Sequence, residues 1–229
     1  MRKSSKRYKE LIKFSTKDKK VELKEIFDLV KKTSTAKFDE SIDVSLKINL
    51  KQSKGADFSL RTIMKLPDGS GKKSKVAVLC ESDKLEEAKK SGADIIGSDD
   101  LLEKIASGKF SFDKLICTPG MMGKIGKHGK VLGPKGLMPN PKLGTVTADI
   151  KKAVQDIKTG LIEIKNDKDG NLASTIGRKS FSNEKLLNNY KSFIEFIKKE
   201  KPNTIKGEFI KNIFITSTMG ISYKINSKS

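Results

Sequence analysis

The residues best suited to chemistry lie in a glycine- and lysine-rich stretch, GKHGKVLGPKGLMPNPKLGTV at 126–146. Its prolines remove backbone donors and its glycines allow close approach, so the stretch can follow a phosphate backbone while its lysines displace counterions. It contains no aromatic residue, which argues against base stacking. Composition alone equally allows a solvated lid or a flexible loop, and it predicts irregular backbone throughout.

Counting residues excludes several catalytic and metal sites. His128 is the only histidine, so a His-Glu-x-x-His zinc site cannot form, and a Ser/His/Asp triad would have to use this loop residue. The phosphate-binding patterns G-x-x-x-x-G-K-[ST] and G-x-G-x-x-G do not occur. Cys80 and Cys117 lack partners at metal-ligand spacing and are expected to be small buried hydrophobes. The sequence therefore predicts no catalytic residue, no metal and no cofactor.

The charge balance indicates a polyanionic partner. Lysine and arginine number 48 against 28 aspartate and glutamate, which gives a net charge of +20 in 229 residues. From Lys114 to Ala148, six lysines occur without an acidic residue. The longest uninterrupted apolar run, Val76 to Cys80, is far shorter than the roughly 20 residues of a membrane-spanning helix, so no membrane association is expected.

The two ends of the chain share one pattern of elements. Apolar residues at helical spacing alternate with segments in which every second residue is apolar, and turn formers at 166–171 separate two such segments. The predicted elements are a helix at 23–30, strands at 42–50 and 58–64, a hairpin at 161–176, a helix at 186–197 and a strand at 209–216. The first two strands are expected to pair with each other.

The middle of the chain has a different pattern. Short apolar strands at 76–79, 93–97 and 115–117 alternate with helices at 85–90 and 99–106, which is typical of a parallel sheet covered on both faces. We therefore expect an α+β outer domain of split β-α-β type, formed by both chain ends, with an inserted α/β Rossmann-like three-layer domain. The expected boundaries are 1–67 plus 160–229 for the outer domain and 68–159 for the inserted one, with hinges near 66–69 and 158–161.

Several motifs occur in an order that resembles a known family. The run LGPKGLMPNPKLGTV at 132–146 resembles the signature segment of the large-subunit ribosomal protein L-one family. Further similarities are Ala36-Lys37-Phe38-Asp39-Glu40, Gly92-Ala93-Asp94, Ile162 to Lys168 and Thr216-Ser217-Thr218-Met219-Gly220. The similarity covers nearly the whole chain and fits the bacterial or organellar type best.

The resemblance implies a function that charge alone does not. Members of this family bind a structured junction of large-subunit rRNA, form the mobile stalk beside the tRNA exit site, and in bacteria often repress their own mRNA. The expected partners are therefore the rRNA stalk junction, exit-site tRNA and the mRNA of the protein's own operon. We expect a non-enzymatic protein, monomeric when free of the ribosome, in the bacterial cytoplasm or an organelle matrix.

The resemblance also names candidate binding residues. The rRNA-binding candidates are Lys37, Phe38, Lys165, Asp167, Thr218, Met219 and Gly220. Candidates for contact with tRNA or a second rRNA segment are Lys124, Lys127, Lys130, Lys135 and Lys142. Without the resemblance, Phe38 and Met219 would be taken as core anchors. The N-terminal lysines 3, 6, 9 and 13 are expected to steer RNA without sequence specificity.

Two other functions remain open at this level. A doubly wound domain often carries ligands at the carboxyl ends of its strands, so an enzyme acting on a phosphorylated substrate is one alternative. A non-specific RNA chaperone is the other, since a basic surface alone attracts any RNA.

Overall fold

The structure is a computed structural model that describes residues 5–15, 22–49, 60–108, 110–202, 205 and 207–225. The helices are α1 (Lys6–Ile12), α2 (Leu23–Thr33), α3 (Leu85–Lys90), α4 (Asp99–Ala106), α5 (Met122–Gly126), α6 (Gly129–Leu132), α7 (Ile150–Lys158) and α8 (Asn183–Lys199). The strands are β1 (Ser41–Ile48), β2 (Arg61–Lys65), β3 (Val76–Leu79), β4 (Ile95–Gly97), β5 (Lys114–Cys117), β6 (Leu161–Lys165), β7 (Asn171–Arg178), β8 (Ile210–Ser217) and β9 (Tyr223–Ile225). The chain forms two compact units, one from the described residues up to Gly71 and from Ile162 onward, the other from Lys72 to Leu161.

The first unit, here called the outer unit, contains a four-stranded antiparallel sheet in the order β7-β1-β8-β9. Strand β1 is internal because it pairs with β7 on one edge and β8 on the other, and its alternate buried side chains, from Ile42 to Ile48, face the core. Helices α2 and α8 pack into the same core through Phe27 and Phe193, both without exposed surface. The hydroxyl of Ser182 caps α8 by accepting a hydrogen bond from the N–H of Lys185.

The predicted pairing of the first two strands is wrong. Both edges of β1 are occupied, one by β7 and the other by β8, so β2 has no place beside it and pairs with β6 instead. The predicted hairpin is present only as a turn, since β6 and β7 meet at the single bridge Asn166–Leu172 and then join different sheets. The predicted strand residues Leu50 and Phe58 lie outside the described residues.

The second unit, here called the inner unit, contains the parallel sheet β4-β3-β5. All four residues of β3 are buried, with Ala77 and Leu79 in one apolar cluster and Val76 and Val78 in another. The strands and helices predicted for this segment are all present. The expectation of irregular backbone through 126–146 is wrong in part, because the stretch includes α6 and a turn of 3₁₀ helix at Pro141–Leu143.

The units divide slightly later in the chain than the predicted boundaries at 67 and 159. Asn189 of α8 is fully buried and holds the first connection on the outer unit. Its side chain accepts from the N–H of Asp68 at 3.0 Å and donates to the carbonyl of Gly69 at 2.9 Å. The predicted hinge at 66–69 therefore lies within the outer unit. None of the described helices is long and apolar enough to span a membrane.

Candidate nucleic-acid interface

The start of β1 and the end of β8 bring two distant segments together. Because the strands are antiparallel neighbours with Ile42 opposite Ser217, the residues before β1 lie beside those after β8. Thr218 continues the ladder, since its N–H donates to the carbonyl of Ser41 at 3.1 Å and its Oγ1 accepts from the N–H of Ser41 at 3.0 Å. We call the five candidates gathered here the Phe38–Met219 surface; its members are Lys37, Phe38, Thr218, Met219 and Gly220.

Two large apolar side chains of this surface point into solvent. Phe38 is 54% exposed and Met219 is 48% exposed. The alternative that they are core anchors is therefore wrong for both. Exposed phenylalanine and methionine give a flat ring and a flexible thioether that can pack against a sugar or base.

The loop that carries Phe38 is anchored on both sides of the ring. On one side, the carboxylate of Asp39 accepts from the N–H and the hydroxyl of Ser180, at 3.1 and 2.9 Å. On the other, the N–H of Ala36 donates at 2.9 Å to Glu40. The exposed ring is thus held by a backbone that is fixed to the sheet.

Glu40 is fully buried directly before β1 and was not singled out by sequence reasoning. Its Oε1 accepts from the N–H of Ala36, and its Oε2 accepts from the N–H of Met219 at 3.0 Å. Burial alone would raise the pKa of this carboxyl, but those two amides, the hydroxyl of Ser217 and the nearby ammonium of Lys179 hold the pKa below its ordinary value of 4.5. The carboxylate therefore stays ionised at neutral pH.

Gly220 closes the turn after β8, where a side chain would not fit. A Cβ atom on this residue would lie 2.3 Å from Oγ of Ser217, which is itself buried. The N–H of Gly220 donates to the carbonyl of Ser217 at 3.2 Å. The turn is thus tight, and glycine is the residue that lets it form.

Arg7 of α1 also reaches this surface, and sequence reasoning missed it. Its Nη2 donates to the carbonyl of Met219 at 2.9 Å, and its Nη1 donates to Oγ1 of Thr35 at 3.2 Å. The sequence signal available was only an arginine among the other basic residues near the N-terminus. Of those lysines, Lys3 lies outside the described residues.

The remaining two rRNA candidates lie at the opposite end of the sheet. Asp167 bonds Asn171, which pairs with Lys47 near the end of β1, about 20 Å from Ser41 along the strand. The side-chain amide and N–H of Asn171 hold the pKa of Asp167 below its ordinary value. Lys165 is exposed at the end of β6, beside this turn. The structure therefore brings five of the seven candidates together, and it places Lys165 and Asp167 away from those five.

The lysines of the inner unit differ in their surroundings. Lys124 forms an ion pair with Asp99 at 2.7 Å, and the ammonium of Lys135 lies 4.2 Å from the ring centre of Phe110. The exposed lysines Lys127, Lys130 and Lys142 follow one another along the short helices and turns after β5. The positive charge of the segment from Lys114 to Ala148, which contains no acidic residue, is thus partly offset by Asp99 of α4.

The described residues contain no group of three His, Cys, Asp or Glu side chains that could hold a metal ion.

A model of the family described as "Ribosomal protein L1p/L10e family" matches residues 30–221 of the chain. The chain belongs to this family of ribosomal proteins. The resemblance drawn from the sequence motifs is therefore confirmed.

Curated relatives match the L1-family chain along almost all of its length. The large ribosomal subunit protein uL1 of Pelagibacter ubique (strain HTCC1062) is 56% identical over 223 residues, which cover 96% of each chain. The proteins of the same name from Thermosipho melanesiensis and Thermosipho africanus are each 48% identical over 227 residues, covering 99% of this chain and 97% of theirs.

Family membership decides between the broad classes of function. The L1 family consists of ribosomal proteins, so the chain is not an enzyme. The alternative of catalysis on a phosphorylated substrate is wrong.

Proposed function

We propose that this protein is a structural constituent of the large ribosomal subunit that binds 23S-type rRNA at the mobile stalk through the Phe38–Met219 surface. The observation that carries the proposal is the pair of exposed side chains, Phe38 and Met219, fixed on neighbouring segments of a rigid sheet. Apolar groups that stay exposed side by side on a folded protein favour an interaction surface.

RNA shape and phosphate would be recognised by different parts of this surface. Phe38 and Met219 pack against a sugar or an unstacked base, while the hydroxyl of Thr218 and the bare backbone at Gly220 approach ribose and phosphate. Lys37 adds attraction to phosphate without sequence specificity. The sheet thus supplies a preformed contact, which reduces the entropy lost on binding.

The second patch, Lys165 and Asp167, would extend the contact to the other end of the sheet. A structured junction that spans about 20 Å can contact both ends of β1 at once. Lysine at position 165 has no planar fork for bidentate contact, so its contribution is attraction to phosphate. Asp167 orders the turn through Asn171 and thereby holds the backbone that presents Lys165.

The inner unit would assist release of deacylated tRNA from the exit site. Of the five candidate lysines, Lys127, Lys130 and Lys142 are the best placed to meet the tRNA backbone, because Lys124 and Lys135 already contact Asp99 and Phe110. As the inserted domain of a two-domain protein, this unit would move about hinges after Gly69 and near 158–161, while the outer unit stays docked on rRNA.

The same outer surface would let the protein repress translation of its own mRNA. A messenger that folds into a junction like that of the rRNA would compete for the Phe38–Met219 surface when rRNA is scarce. The proposed cellular setting is the bacterial cytoplasm, since the relatives named above are bacterial proteins, and the free protein is proposed to be a monomer.

Binding to a stalk fragment of the cognate large-subunit rRNA and to a shuffled RNA of equal length tests the rRNA proposal. The Thr218→Ala/Met219→Ala variant is compared with Lys191→Ala/Glu195→Ala, which changes two exposed residues of α8 and leaves the net charge unaltered. Preference for the stalk RNA that is lost only in the first variant supports the proposal. Equal binding to both RNAs, unchanged in either variant, would overturn it and indicate a non-specific RNA chaperone.

A further inference from the structure

The carboxylate of Glu40 connects the two halves of the Phe38–Met219 surface. One oxygen accepts the N–H of Ala36, two residues before Phe38, and the other accepts the N–H of Met219 itself. Glu40 and Met219, which the second bond joins, are 179 residues apart in sequence. A single buried side chain therefore sets the distance between the loop before β1 and the turn after β8.

The surroundings of Glu40 explain why an ionised group can lie there without exposed surface. Both of its oxygens have backbone donors, and the ammonium of Lys179, which bonds the carbonyl of Ser34, lies close enough to offset the charge. The N–H of Lys179 also donates to the carbonyl of Glu40 at 2.9 Å, which ties the residue to the end of β7. Burying a carboxylate is unfavourable unless such partners are present, so the arrangement is specific for this group.

We propose that Glu40 is a positioning residue for RNA recognition, which acts by holding Phe38 and Met219 at a fixed separation in the free protein. Glu40 has no exposed surface and does not touch the RNA itself. The inference rests on the proposed function of the Phe38–Met219 surface, and it adds the group on which the geometry of that surface depends.

Glutamine cannot replace this carboxylate, although it has the same shape. Its side chain offers one acceptor oxygen, and its amide group would face an N–H donor at the other position. One of the two amides, that of Ala36 or that of Met219, would lose its partner inside the protein. The loop that contains this amide would then move away from residue 40, while the strands around it keep their backbone hydrogen bonds to one another.

The first test uses Glu40→Gln with Asp43→Asn as the matched control. Asp43 is a half-buried carboxylate of β1, three residues after Glu40, and it accepts from the hydroxyl of Thr175 in β7 at 2.6 Å. Both variants change the net charge equally. We expect Glu40→Gln to lower affinity for the stalk RNA about 10- to 100-fold, with unchanged affinity for shuffled RNA and an unchanged salt dependence, and Asp43→Asn to have little effect.

The second test does not need the variant to fold. In the free wild-type protein, the amide protons of Ala36 and Met219 should be shifted downfield by their carboxylate partner and should exchange with solvent as slowly as amides of β1. Exchange of either amide at the rate of an open loop would overturn the proposal.

The outcomes separate this inference from the proposed function. If wild-type protein does not prefer the stalk RNA, the proposed function fails, whatever the amide protons show. If the wild-type protein prefers the stalk RNA and Glu40→Gln binds it equally well, the positioning role is wrong and the proposed function stands. A parallel loss of affinity for both RNAs would also overturn the positioning role, because it would indicate general loss of structure.

Discussion

The guanidinium of Arg7 donates a hydrogen bond to the carbonyl of Met219 across 212 residues of sequence. Helix α1 thus fixes the carbonyl of the same residue whose N–H is held by Glu40. With both backbone groups bonded, the exposed side chain of Met219 is free to contact a partner while its backbone stays in place.

Arg7→Ala should loosen α1 without unfolding the outer unit. Only solvent-exposed hydrogen bonds are lost, so the free energy of unfolding should fall by at most about 1 kcal/mol. Hydrogen exchange measured by mass spectrometry should show faster exchange in residues 6–12 and unchanged exchange in β1. Arg7→Lys keeps the charge but loses the planar guanidinium whose two nitrogens reach Thr35 and Met219, so it should behave like Arg7→Ala.

Gly220→Ala should weaken binding of the stalk RNA by distorting the turn after β8. The new Cβ would overlap Oγ of Ser217, and the cost should be about 1–3 kcal/mol in the free energy of unfolding. The double variant Ser217→Ala/Gly220→Ala removes the overlapping atom and should recover part of the loss in a urea titration, because it also removes a hydroxyl that favours the ionised Glu40. Gly123→Ala, where a Cβ meets nothing within 4 Å, is the control and should not destabilise the protein.

Glu40 should make the outer unit sensitive to acid. Because the pKa of its carboxyl is lower in the folded protein than the ordinary value of 4.5, its contribution to stability is complete above that value and is lost as the pH falls through the lower folded pKa. The nearby ammonium of Lys179 favours the ionised form of Glu40. Urea unfolding should show wild type more stable than Glu40→Gln at pH 6, with the difference shrinking below pH 4.5; a constant difference down to pH 2 would contradict this.

Asn189→Ala should destabilise the outer unit more than a change at the surface. The side chain makes three hydrogen bonds, to Asp68, Gly69 and Ile176, from a fully buried position. Removing it leaves backbone groups unpaired, at a cost of about 3 kcal/mol. Thermal unfolding followed by circular dichroism measures the loss, and Asn188→Ala at the neighbouring exposed position is the control.

The three lysines after β5, at positions 127, 130 and 142, should affect binding of tRNA and not of rRNA. Lys127→Ala/Lys130→Ala/Lys142→Ala should weaken tRNA binding several-fold at low salt and leave binding of the stalk RNA unchanged. The control Lys89→Ala/Lys90→Ala/Lys151→Ala removes the same charge from exposed positions of α3 and α7. Equal loss of both activities in the first variant, or equal loss of tRNA binding in the control, would contradict separate roles for the two units.

The local sequence pattern predicted where the helices and strands of this protein lie better than it predicted which strands pair. The alternation from Ile42 to Ile48 identifies β1, because one face of the strand is buried. The same alternation does not say which strand lies beside it, since every half-buried strand offers similar edges. The partners of β1 come from β7 and β8, more than a hundred residues away, and only the folded chain reveals them.

The candidate site was predictable to the extent that its residues are exposed and lie in recognisable motifs. Phe38 and Met219 were identified through the family resemblance, and their exposure was not evident from residue type. Glu40 and Arg7 were missed because a charged residue in a basic, soluble chain is most simply a solvated one. Their importance depends on two amides and a carbonyl that meet only after the sheet has formed.

The central position of β1 also sets an order of events during synthesis. Val44 pairs with Ser174 on one side and Ile215 on the other, so this strand has neither neighbour when it is first made. At ~5–20 residues per second, the second neighbour follows roughly 10 to 35 s later. During that interval the inner unit, whose strands all lie between Val76 and Cys117, can complete its own sheet. The surface made by both chain segments of the outer unit can therefore form only after β8 and the turn at Gly220 have been synthesised.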